Sequence, residues 1–119
     1  MELKRVLGLI LPEGLEDYFD LVEVKETDES FTLFLDELNI VPERYKNVKA
    51  SSKGFFDSRT IRDFPLRGKP CFLNIRRRKW LVEETGEIIF NDWSIAHKGT
   101  RMTHELTLFF KEVNRQYSH

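Results

Sequence analysis

The chain has 119 residues, of which 40% are hydrophobic and 33% charged, a balance that fits one soluble globular domain or two very small lobes and excludes a disordered tail. No apolar run is long enough to span a bilayer, and the one cysteine, Cys71, excludes an internal disulfide and argues against a cysteine-based zinc site. The net charge of −1 hides an asymmetry: residues 1–48 hold 5 Lys/Arg against 12 Asp/Glu, a net −7, residues 49–119 hold 14 against 8, a net +6, and residues 49–80 alone hold 10 against 2, a net +8. A block of one sign is an electrostatic footprint for an oppositely charged partner, although the acidic and basic parts could also pair with each other.

In chain order, Leu3, Val6, Leu7, Ile10 and Leu11 follow the spacing of a short amphipathic helix that stops at Pro12. The apolar stretch is short, runs into an acidic segment and lacks a small-residue cleavage site, so it is expected to be a helix of a cytoplasmic protein rather than a signal sequence. Leu15, Tyr18 and Phe19 are expected to continue a helical face to about Asp20. Residues 21–25 and 31–35 read as strands joined by a turn at Thr27-Asp28-Glu29-Ser30, giving an acidic αββ lobe over residues 1–48.

Residues 39–54 read as a connector. The basic part, residues 49–119, is then expected to hold a three-stranded antiparallel sheet. Its strands run over residues 60–64, 71–81 and 87–90, with turns at Leu66-Arg67-Gly68-Lys69 and Thr85-Gly86. A last helix starts at the N-cap Thr103, with Glu105 early and Lys111 and Arg115 late, as the helix dipole favours. Its apolar stripe is Leu106, Phe109, Phe110, Val113 and Tyr117. The expected fold class is α+β: small antiparallel sheets with an N-terminal and a C-terminal helix.

The run Arg76-Arg77-Arg78-Lys79-Trp80 carries the most chemistry. On one continuous strand, Arg76 and Arg78 would share a face with Phe72 and Trp80, and Arg77 and Lys79 would share the other with Leu73 and Ile75. Neither face could close as a core. Phosphate is the natural partner, because a guanidinium pairs with it in a bidentate way. Arg67 and Lys69 in the preceding turn, and Lys98 and Arg101 before the last helix, could extend the same phosphate-contacting surface. Trp80 and Trp93 either stack on a base or belong to the core. His97 and His104 lack metal-ligand spacing, and no nucleophile signature or phosphate-cradling glycine loop occurs. Glu23-Val24-Lys25 has the form of one nuclease triplet, but charge alternation on an exposed strand explains it better. No cofactor is expected.

Five stretches occur in order: Leu11-Pro12-Glu13-Gly14-Leu15 with Tyr18-Phe19, Ser52-Lys53-Gly54-Phe55, residues 61–69, residues 75–80, and Lys98-Gly99-Thr100-Arg101-Met102-Thr103. Together they resemble the N-terminal region of bacterial insertion-sequence transposases of the ISAon type. The resemblance implies a zinc-ribbon-like β module ahead of a helix-turn-helix and an acidic-triad catalytic domain. Residues 81–86 hold no cysteine, so the module is expected to be metal-free and stabilised by Phe64, Phe72, Trp80, Phe90 and Trp93. It further implies a non-catalytic fragment or first reading frame that binds double-stranded DNA at the element's terminal repeats through Arg67, Lys69, Arg76, Arg77, Arg78, Lys79, Lys98 and Arg101. The alternative is an interaction module. Its acidic lobe and the stripe of Leu106, Phe109 and Phe110 would dock on the downstream transposase polypeptide or on a second copy.

Overall fold

The structure, a computed structural model, describes residues 9–93 and 102–117. Its elements are strands β1 (Phe19–Glu26), β2 (Phe31–Glu37), β3 (Ala50–Phe55), β4 (Arg59–Leu66), β5 (Lys69–Arg76), β6 (Arg78–Val82) and β7 (Ile88–Ile89), followed by helix α1 (His104–Tyr117). The fold is α+β, with two small, mainly antiparallel sheets and a C-terminal helix. Most of the expected N-terminal helix falls on residues 1–8, outside the described residues, and Leu9 and Ile10 are helical. The expected continuation to Asp20 is a single 3-10 turn, Leu15–Asp17, because Phe19 and Asp20 already pair with Glu37 and Asp36. No helix among the described residues is long and apolar enough to cross a membrane.

Local chemistry builds the turns as expected. Between β1 and β2 the Thr27 hydroxyl accepts bonds from the backbone N–H groups of Glu29 and Ser30, at 3.1 and 3.0 Å. Between β4 and β5, Arg67 and Gly68 both adopt positive φ, 50° and 78°, at the centre of a two-residue hairpin loop. Such a loop matches the twist of its flanking strands, and glycine adopts that backbone at least cost.

The larger sheet has the order β1-β2-β5-β4. Its centre is a parallel pair, β2 with β5, running from Phe31 opposite Cys71 to Asp36 opposite Arg76. Strands on both sides of residue 48 therefore share one sheet, and the expected division into an acidic and a basic lobe gives way to interleaving. Parallel neighbours need a long crossover, and residues 38–68 supply it with the 3-10 turn Glu43–Tyr45, β3 and β4.

Helix α1 covers one face of this sheet. Leu106, Phe109, Phe110 and Val113 are all buried, in one core with Leu33, Leu35, Leu73 and Ile75. Trp93 stacks on Phe110, with ring centroids 5.1 Å apart. The apolar stripe proposed as a docking face is thus occupied by the protein's own sheet. Thr103 caps the helix as expected: its hydroxyl accepts from the Leu106 N–H at 3.1 Å and donates to the Glu13 carbonyl at 2.8 Å.

The second sheet, β3-β6-β7, closes a small cluster of Trp80, Val82 and Ile89 with Val41 and Tyr45 against it. It corrects two expectations. Residues 50–54 of the expected connector belong to a strand, β3, which runs to Phe55. The expected single strand 71–81 is two strands in different sheets, interrupted at Arg77. The buried positions show the break. They are Cys71, Leu73 and Ile75 in β5 but Trp80 and Val82 in β6, a slip of one residue in the inward phase.

Candidate nucleic-acid interface

The basic run lies where the chain crosses from one sheet to the other, and each of its cations meets a different environment. Arg76, the last residue of β5, stands opposite Asp36 of β2. Its Nε and Nη2 donate to the two carboxylate oxygens at 2.7 and 2.6 Å. Its guanidinium carbon also sits 4.0 Å from the centre of the Phe55 ring. The Asp36 carboxylate holds the Arg76 proton more tightly than usual.

Arg77 points inward. Its guanidinium carbon lies 4.5 Å from the ring centres of both Phe90 and Trp93, and Nη2 donates to the Asn91 carbonyl at 2.6 Å. Its backbone N–H donates to the Tyr117 hydroxyl, which in turn donates to the Ile75 carbonyl. Burial works against its charge, and the nearby Glu37 carboxylate supports it.

Glu37 is the hub beneath this joint. Only 2% exposed, its carboxylate accepts from the Arg78 N–H at 2.9 Å, Asn91 Nδ2 at 2.7 Å and Trp93 Nε1 at 3.0 Å. Burial raises its pKa, partly offset by these donors. Buried charges persist where hydrogen bonds satisfy them, and Glu37 meets that condition.

Arg78 and Lys79 are half-buried. Arg78 donates to the Glu37 carbonyl and the Ser52 hydroxyl, at 3.1 and 2.8 Å, and lies 4.4 Å from the centre of Phe55. Phe55 therefore carries two guanidinium groups, those of Arg76 and Arg78. Lys79 Nζ is 5.0 Å from the Phe56 ring centre, and Phe56 meets Phe90 edge-on at 5.5 Å. Neither Arg78 nor Lys79 forms an ion pair with a carboxylate among the described residues. Stacking on a ring fixes a cation without neutralising it.

The remaining expected site residues divide. Lys69 is internal to the fold's charge balance: its Nζ donates to Glu26 Oε2 at 3.0 Å and to the Thr27 carbonyl at 2.8 Å, over the Phe31 ring. Arg67 is exposed at the hairpin tip, at the far end of β5 from the run. Lys98 and Arg101 lie outside the described residues. The sheet joint does not include Arg67 or Lys69.

Both tryptophans are core residues. Trp80 is 0% exposed, with Nε1 donating to Asn39, and Trp93 is 1% exposed on Glu37. Of the aromatics expected to stabilise the module, Phe64 and Phe90 are the exceptions, at 83% and 42% exposed. The sequence reading overlooked Phe55 and Phe56 as the rings that order the run, together with Arg62 and Lys53, exposed cations on β4 and β3. Aromatic pairs beside a basic block were the available signal. Among the described residues no group of three or more His, Cys, Asp or Glu gathers as a metal site would require. Comparison of the chain with protein-family models, with curated proteins and with solved structures finds no match.

Proposed function

We propose that the chain is a DNA-binding module, the N-terminal region of a transposase, which grips the duplex backbone at the joint between its two sheets. One observation carries the reading. Of the ten cations in residues 49–80, ion pairs with carboxylates among the described residues engage Lys49, Lys69 and Arg76. The block therefore keeps a surplus of positive charge after internal pairing. Arg78 and Lys79 belong to that surplus, held on Phe55 and Phe56, with Lys53 on the adjacent strand. Pre-ordered cations of this kind suit phosphate contacts, which supply affinity and position rather than sequence.

The transposase context rests on the ordered motifs of the sequence. Terminal-repeat DNA is the ligand that this context favours. Titration of a labelled duplex carrying such repeats, across several salt concentrations, tests the proposal. Affinity should fall steeply and linearly on a log–log plot against salt. Absence of binding at low salt would reject it.

A further inference from the structure

A second surface, unrelated to the basic joint, lies between the edge strand β4 and helix α1. It is a groove of about 220 Å³ whose lining includes Pro12, Phe64, Leu108 and Phe109 with the carboxylates of Asp63 and Glu105. Phe64 and Leu108 stand 83% and 52% exposed in its walls. Phe64 and Leu108 line the groove with Pro12 and Phe109, and an exposed apolar patch with a charged rim marks an interaction site.

The backbone beside the groove is also open. β4 ends the order β1-β2-β5-β4, so its outer edge has no strand neighbour among the described residues. Pairing with β5 is irregular between Asp63 and Leu66, which sets Phe64 at a bulge. The regular stretch from Arg59 to Asp63, ahead of the bulge and Pro65, is the part of this edge that can accept an added strand.

Charge then selects the occupant. Asp63 is half-buried, and burial and the neighbouring Glu105 both act against its ionisation. No cation forms an ion pair with either carboxylate among the described residues, whereas the third acid of the lining, Glu112, is held by Arg115. Arg62, also at the rim, is drawn toward the Phe72 ring, 5.9 Å away on the next strand. A phosphate backbone would be repelled here. Glu105 accepts from the Glu13 N–H at 3.1 Å and Asp63 from the Phe64 N–H, so a wholly apolar segment would cover two carboxylates that are hydrogen-bonded but balanced by no cation among the described residues. A second copy docked edge to edge would bring two such acidic grooves together.

We propose that this groove binds an extended segment of another polypeptide, added as a fifth strand on β4 and carrying a lysine or arginine between apolar residues. The aliphatic stem of that side chain would lie on Phe64, Leu108 and Phe109, and its cation would meet Asp63 and Glu105. Basic side chains combine such an apolar stem with a charged head. Main-chain pairing would supply affinity and the groove specificity.

The test uses the full chain and two fluorescein-labelled octapeptides, one alternating valine with lysine and the other valine with glutamate, followed by polarisation. The lysine peptide is expected to bind saturably and at least about tenfold more tightly than the glutamate peptide, a difference of roughly 1.4 kcal/mol. Phe64→Ser and, separately, Asp63→Asn are each expected to weaken it severalfold with an unchanged circular dichroism spectrum. Both positions are at least partly exposed, so the variants should fold. Equal binding of the two peptides, or indifference to both substitutions, would overturn the proposal. So would a concentration-dependent dimer that Phe64→Ser abolishes, which would assign the groove to a second copy.

Discussion

Arg76 and Asp36 face each other across the parallel pair β2/β5 and close a two-pronged ion pair, at 2.7 and 2.6 Å. One residue comes from the basic block and the other from the acidic N-terminal part. The two halves of the charge distribution are therefore partly spent on each other. What they leave over, on β3, β4 and β6, is the material for an outside ligand.

That division separates neighbouring cations in their effect on DNA. Lys79→Ala and Arg78→Ala are expected to weaken duplex binding severalfold and to lower the salt slope by about 1 each. Arg76→Ala, whose charge is matched by Asp36, should leave the slope nearly unchanged. Its coupling with Asp36 in a double-mutant cycle should be about 1 kcal/mol or less, as for a partly exposed pair. Fluorescence titration at four or more salt concentrations measures the slopes, and equal slopes for all three variants would contradict this division of labour.

Glu37 is expected to be the most sensitive polar position. Glu37→Ala leaves Asn91, Trp93 and the Arg78 N–H without their acceptor and Arg77 without its nearest buried anion. The expected loss is about 3 kcal/mol or more in urea unfolding. Glu37→Gln should also cost, because an amide nitrogen would replace one of two acceptor oxygens. A loss below about 1 kcal/mol for Glu37→Ala would show that the joint does not depend on this carboxylate.

Acid behaviour follows from Asp63 as well as Glu37. Burial raises both carboxyls, so the folded chain holds these protons more tightly than the unfolded chain. Their contribution to stability is full below the ordinary carboxylate range and is lost as pH rises through the folded values. Asp63→Asn should therefore match the parent protein near pH 4 and exceed it in stability at pH 7. Glu112, lowered by Arg115, runs the other way but is too exposed to dominate. Denaturant melts at the two pH values decide the matter. A variant less stable than the parent at pH 7 would refute the assignment.

The helix start offers a conservative control. Thr103→Ala should cost about 1 kcal/mol by removing the cap on the Leu106 N–H, and Thr103→Ser should restore it. Thermal melts of the pair suffice, and a Ser variant as weak as the Ala variant would mean that the hydroxyl is not the stabilising group.

The sequence by itself determined the local parts of this protein. The 3.6-residue stripe and Thr103 specify α1, Thr27 and Gly68 specify turns, and the opposite charge of the two halves is a matter of counting. Each rests on residues a few positions apart. Even the break at Arg77 left a trace, the slip from an inward Leu73 and Ile75 to an inward Trp80 and Val82. Only the tertiary structure decided that β2 pairs with β5 rather than remaining in a separate lobe. That pairing sets Asp36 against Arg76 and brings Glu37 beneath Arg77 and Arg78. These partners are about 40 residues apart, and their register depends on how α1 and the interleaved strands fill one core. Which cations are spent within the fold and which remain for a ligand is therefore a property of the packing.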